Sequence, residues 1–239
     1  MGVIKALSEA GIKPAIISGV SAGAIIGAFI ARGFPPDEVL EIILKTSLFK
    51  FMRPGFSRTG LLKLERAEQL LRQYFKDTTF ENLNTPLIVS ALDINKGKIT
   101  YFNSGDLVLP ILASSSIPVI FNPIKINGAS YVDGGLFENL PIAPLKGHCN
   151  FIIGVHTNPI NDAFEPASIK SFVERIFLLA INGNARPCMK EADFIIEPEG
   201  LKHIKWSSYS KAKVIFEIGY EHTYNILPKL QELLMAQPT

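Results

Sequence analysis

Two residues in this sequence have the type and setting for acyl chemistry, a serine and an aspartate 112 positions apart (133 − 21). Ser21 stands in Gly19-Val20-Ser21-Ala22-Gly23, and Asp133 opens Asp133-Gly134-Gly135. A serine hydroxyl is a weak nucleophile until a base takes its proton, and a carboxylate can be that base. With an N–H donor aimed at the developing oxyanion, such a pair can transfer an acyl group from an ester. Each segment also has a plainer reading. Serine is a favoured helix N-cap, and Asp and Gly are ordinary turn residues. A phosphate-cradling loop is a further reading of the glycines, but the lysine of a P-loop and the Gly-x-Gly-x-x-Gly spacing are both lacking.

Other chemistries find less support. His148 and His156 flank a strand, His203 lies in a polar stretch, and none of the four histidines, His222 included, has ligand spacing. They read as surface or packing residues, and no metal or cofactor is expected. Cys149 and Cys188 form no Cys-x-x-Cys pair and cannot make a disulfide framework, so they read as idle thiols in a reducing compartment. The net charge of +2 and the absence of a Lys/Arg cluster interleaved with aromatics argue against a nucleic-acid partner. With 47% hydrophobic and 19% charged residues, the 239-residue chain reads as globular, and a single α/β domain over 1–239 is the simplest division.

The elements around the two segments follow from periodicity. Val3, Ile4, Leu7 and Ala10 have a helical period that Gly11 stops. Ala15–Ser18 reads as a short buried strand and Ser21–Arg32 as a buried helix closed by Gly33. Ser21 therefore sits where a strand turns into a helix, the setting of a nucleophile elbow. Gly19 and Gly23 would let strand and helix approach closely. The N–H of Ala22, at a helix N-terminus, is a natural oxyanion donor.

Further on, helices are expected at Pro36–Thr46, Leu61–Phe75, Ser168–Ile181 and Ile215–Met235. Strands are expected at Pro86–Asp93, Lys98–Phe102, Asn150–His156 and Asp193–Glu197. Val119–Ile126 and Ser130–Asp133 flank Asn127-Gly128, a strong hairpin signal. Alternating strands and helices predict a mostly parallel sheet covered by helices on both faces. Asp133 then ends a strand, on a glycine turn that leaves its carboxyl unhindered.

An elbow serine followed downstream by Asp-Gly-Gly resembles the patatin-like phospholipase family. The likeness extends over Gly2–Ile12, which is similar to that family's first helix. It continues in Ala113-Ser114-Ser115-Ser116-Ile117-Pro118-Val119-Ile120-Phe121-Asn122-Pro123 and in Tyr131–Pro141 around Asp133. The resemblance implies a three-layer α/β fold and a Ser–Asp dyad without a catalytic histidine. It further implies hydrolysis of phospholipid or other acyl-ester lipids through an acyl-enzyme, with Ser21 as nucleophile, Asp133 as base and Gly134 and Gly135 shaping its turn.

At one point the chain departs from that pattern. Patatin-like proteins carry a strand and a loop of the kind Gly-Gly-Gly-x-Arg-Gly just before the first helix, and here that helix begins at Met1-Gly2. The domain is therefore expected to be N-terminally incomplete relative to the family. Its neighbouring strand edges should be unpaired, and Ala22 N–H should be left as the main oxyanion donor. The alternative to an active hydrolase is an impaired family member serving as a lipid-binding or interaction module.

Leu48–Arg58 mixes Phe49, Phe51 and Phe56 with Lys50, Arg53 and Arg58, a composition that could rest on a lipid surface or pack over the core. No signal-peptide core, myristoylation pattern or membrane-length apolar run is present. A cytoplasmic protein with peripheral membrane contact is expected, and the sequence leaves the oligomeric state open.

Overall fold

The computed structural model describes residues 1–46, 64–118, 120–204 and 209–236. Phe49, Phe51 and Phe56 lie outside the described residues. The chain runs α1 (Gly2–Glu9), β1 (Ile17–Gly19), α2 (Ala22–Arg32), α3 (Pro36–Thr46) and α4 (Glu65–Phe75). β2 (Leu87–Asp93), β3 (Lys98–Phe102), α5 (Val108–Ser114), β4 (Ile124–Ile126) and β5 (Ala129–Asp133) follow. β6 (Ile153–Val155), α6 (Ile169–Met189), β7 (Phe194–Ile196) and α7 (Ala212–Met235) complete it.

The architecture is the three-layer α/β fold. One sheet has the order β1-β2-β5-β4, with β3 also on β2, and β6 and β7 form a second sheet. β1–β2 and β6–β7 are parallel. Two tight reversals add antiparallel ladders, β2–β3 and β4–β5, and β5 also runs antiparallel to β2, so the larger sheet, as described, is mixed rather than mostly parallel as expected. The β4–β5 reversal uses Asn127 and Gly128, both at positive φ (49° and 83°), as a two-residue hairpin turn demands.

Every residue of β2 is buried, so both faces of that strand are covered. Leu87 and Val89 join the largest core with Ile25 and Phe29 of α2, Leu71 and Phe75 of α4, and Ile111 of α5. Phe29 anchors this core, its ring centroid 4.8 Å from that of Phe75 and 5.4 Å from that of Phe34. The second sheet shows the layering directly. Phe194 and Ile196 pack with Val3 of α1 and Leu230 of α7, while Ile195, on the other face, packs with Ala185 and Met189 of α6. Gly2 permits the α1–α7 contact: a Cβ there would fall 1.9 Å from the Phe216 carbonyl oxygen.

Two elements differ from the sequence expectation. α5 was not anticipated. Its Pro110 sits in the first turn, where the missing N–H does no harm, and Asp106 Oδ2 accepts the Leu109 N–H at 2.8 Å. α6 continues eight residues beyond Ile181, through Asn182-Gly183-Asn184. Among the described residues, β1 has a ladder on one edge, to β2.

Candidate active site

β1 ends at Gly19, Val20 makes the turn, and Ser21 is the N-cap of α2. Ser21 has φ 54° and ψ −125°, a conformation that costs a non-glycine residue about 1–3 kcal/mol. Something must hold it there. The Ser21 N–H donates to Ser114 Oγ at 2.8 Å, and Ser115 Oγ donates to the Ser21 carbonyl at 3.3 Å. Two hydroxyls at the end of α5 thus grip the elbow peptide on both sides.

The close approach of strand and helix rests on one glycine rather than two. A Cβ on Gly19 would lie 2.7 Å from the Gly23 carbonyl oxygen, whereas a Cβ on Gly23 would meet nothing within 4 Å. The expectation that Gly23 shares this role is corrected: it is exposed and points away from β1.

The structure brings Ser21 and Asp133 together, with Ser21 Oγ 2.6 Å from Asp133 Oδ2. Asp133 is 4% exposed, and Ser21 is half-buried and reachable. Asp133 closes β5, pairs with Ala91 of β2, and donates its backbone N–H to Ser116 O at 2.9 Å. Its other carboxylate oxygen, Oδ1, accepts the Gly135 N–H at 2.8 Å. Burial lifts this carboxyl well above the usual carboxylate range, to about 6, against the smaller downward pull of the bonds from Ser21 and Gly135. A base with that affinity holds a proton far better than a solvent-exposed aspartate and still ionises below neutral pH.

The glycines after Asp133 are tightly fitted. A Cβ on Gly134 would stand 3.1 Å from Ser90 O, and one on Gly135 would stand 3.0 Å from Asp133 Oδ1 and Asn139 Oδ1. Opposite this turn, the elbow N–H groups are unequally used. That of Ser21 goes to Ser114, and that of Gly23 goes to Val20 O at 2.8 Å. Among the described residues, the Ala22 N–H donates to no protein acceptor.

No histidine bonds either candidate residue. His156 is 1% exposed, its Nδ1 is 2.9 Å from Glu197 Oε1, and burial lowers its proton affinity against the opposing pull of Glu197. Among the described residues, no group of His, Cys, Asp or Glu could hold a metal ion, and no helix is long and apolar enough to cross a membrane.

Sequence reasoning gave no role to Ser114, Ser115, Ser116 or Asn184. A signal existed for the first three. A run of three serines between an apolar helix and Ile117-Pro118 is costly to bury unless each hydroxyl has a partner, and all three are at most 1% exposed.

The sequence matches the family described as Patatin-like phospholipase over residues 1–146. The chain belongs to the patatin-like phospholipase family. An uncharacterised NTE family protein of Mycobacterium tuberculosis is 31% identical over 185 residues, which cover 74% of this chain and 51% of that protein. The lysophospholipase nte1 of Aspergillus fumigatus is 30% identical over 172 residues, covering 68% of this chain and 11% of that protein. The chain thus spans about half the length of the mycobacterial relative and a small part of the fungal one. Among solved structures, VipD of Legionella pneumophila shares the fold at 16% identity, with a TM-score of 0.50 over 95% of this chain and 64% of that one.

Proposed function

We propose that this patatin-like protein is a lipid acyl ester hydrolase of the phospholipase A or lysophospholipase type, with Ser21 as nucleophile and Asp133 as base. The observation that carries the reading is the 2.6 Å contact between Ser21 Oγ and the buried Asp133 Oδ2, made from an elbow held at positive φ. In the first half-reaction Ser21 Oγ attacks the ester carbonyl and its proton passes to Asp133 Oδ2. The tetrahedral oxyanion receives the Ala22 N–H at the positive end of α2. The alkoxide leaves as an alcohol by taking the proton from Asp133, and the acyl group remains on Ser21. A water molecule then gives a proton to Asp133 and attacks the acyl-enzyme. Ser21 recovers that proton, and a fatty acid departs.

A serine-reactive fluorophosphonate tests the proposal. Labelling of the wild-type protein that disappears in Ser21→Ala supports it. Labelling that survives in Ser21→Ala, or that never occurs in folded protein, contradicts it. The competing reading is a lipid-binding module with an unused elbow, and it is favoured by the Ala22 N–H being, among the described residues of the elbow, the one backbone donor left free for an oxyanion. Loss of one oxyanion donor costs about 10²–10³ in rate in well-studied hydrolases. That reading gains if the protein binds lipid vesicles but resists the probe.

A further inference from the structure

The turn that presents Asp133 is gripped from a distant helix. Asn184 of α6 reaches it with both ends of its side-chain amide. Nδ2 donates to the Gly135 carbonyl at 2.9 Å, and Oδ1 accepts the Asn139 N–H at 2.8 Å. Only this amide orientation satisfies both, because a carbonyl cannot donate and an N–H cannot accept. One side chain thereby spans the turn from residue 135 to residue 139.

Gly135 is the hinge of that turn. Its N–H points to Asp133 Oδ1 and its C=O points to Asn184. A glycine backbone has no Cβ to limit its rotation, so its direction must be set by what it bonds. The N–H lies in the Gly134–Gly135 peptide, whose carbonyl accepts the Phe137 and Glu138 N–H groups at 2.9 Å. The C=O lies in the next peptide, which Asn184 holds. If that second peptide swung away, Gly135 could turn, the carboxylate would lose the bond on Oδ1, and it could rotate off Ser21. Glu138, on the same turn, is occupied elsewhere: its Oε2 accepts the Tyr101 hydroxyl at 2.7 Å. We infer that Asn184 is a positioning residue, which aims the Asp133 carboxylate at Ser21 by fixing Gly135. The inference rests on the proposed Ser21–Asp133 pairing.

The local sequence supports a dedicated role. Asn182-Gly183-Asn184 is a poor helical stretch, and each of the three weakens a helix relative to alanine. Asn182 supplies an internal comparison. It is 3% exposed and also makes two bonds, to Asn158 O at 2.8 Å and Leu178 O at 3.0 Å, but neither touches the Asp133 turn.

The experiment compares Asn184→Leu with Asn182→Leu in the full chain. Thermal unfolding is read for both, with the pH dependence of fluorophosphonate labelling and a carbon-13 titration of the Asp133 carboxyl. Both variants should melt earlier. Asn184→Leu alone should slow labelling about tenfold to a hundredfold, as small misplacements of a reacting group do. It alone should also move the Asp133 titration to higher pH, because the Gly135 N–H no longer steadies the charged form. Should Asn184→Leu fail to fold, Asn184→Asp keeps the acceptor for Asn139 and removes the donor to Gly135, and the same upward movement is expected. An Asp133 titration that superposes on wild type in the folded variant overturns the inference and leaves Asn184 a packing residue. The titration reads Asp133 whether or not Ser21 is the nucleophile, so failure of the proposed function, seen as labelling that persists in Ser21→Ala, is distinct from failure here.

Discussion

On the Asp133 side of Ser21 both carboxylate oxygens are held, one by the Ser21 hydroxyl and one by Gly135, and the turn behind them is tied to α6. On the Ala22 side, among the described residues, a single elbow N–H stands without a protein acceptor, next to a strand with a ladder on one edge. Under the proposed function the two demands of acyl transfer, proton transfer and oxyanion stabilisation, fall to separate parts of the site and can be tested apart.

The largest effect should come from removing the base. Asp133→Asn should lower turnover by about 10⁴-fold, the scale seen when a triad aspartate is lost. The same substitution should make the protein more stable at neutral pH. Because burial raises the folded-state affinity of Asp133 to about 6, wild type loses stability as pH rises from about 4 to about 6, by up to about 3 kcal/mol. Asp133→Asn lacks this loss, so thermal melts of the two proteins should diverge across that window. Parallel melts would mean that the carboxyl is not buried as described.

A second pair of substitutions tests the elbow. Gly19→Ala places a methyl against the Gly23 carbonyl and should destabilise the protein by about 1–3 kcal/mol. Gly23→Ala meets open space and, in the first turn of α2, should be neutral or stabilise by up to about 1 kcal/mol. Denaturant midpoints for the two variants check this. Equal losses would show that the elbow is not packed on Gly19 alone.

Ser114→Ala should have a smaller effect. It takes the acceptor from the Ser21 N–H, worth about 0.5–1.5 kcal/mol, and turnover should fall about tenfold as the elbow relaxes. Single-turnover acylation rates would show the loss. A variant as fast as wild type would mean that Ser21 keeps its conformation without help from α5.

Much of this site was legible in the residues, and what was not has identifiable physical causes. Ser21 between an apolar strand and an apolar helix, Asp133 before two glycines, and the Asn127-Gly128 reversal are local patterns, and the structure forms all three. Ser114 was not legible as a partner, because a contact across 93 residues leaves no local trace. α6 runs past Ile181, its expected end, through Asn182-Gly183-Asn184, residue types that weaken a helix. Tertiary bonds from Asn182 and Asn184 fasten this part of the helix to the rest of the protein, and such long-range partners leave no local trace. The different weights of Gly19 and Gly23 could not be read from a symmetrical motif, since they depend on which glycine faces the opposing backbone.

The claim that Asp133 activates Ser21 is tested most directly by the rate of fluorophosphonate labelling as a function of pH, in wild type and in Asp133→Asn. The account predicts that labelling of Ser21 in wild type rises with pH through a midpoint near about 6 and then levels off, as the buried carboxyl ionises. In Asp133→Asn it should be slow and lack that midpoint. Equal rates and equal profiles for the two proteins would contradict it.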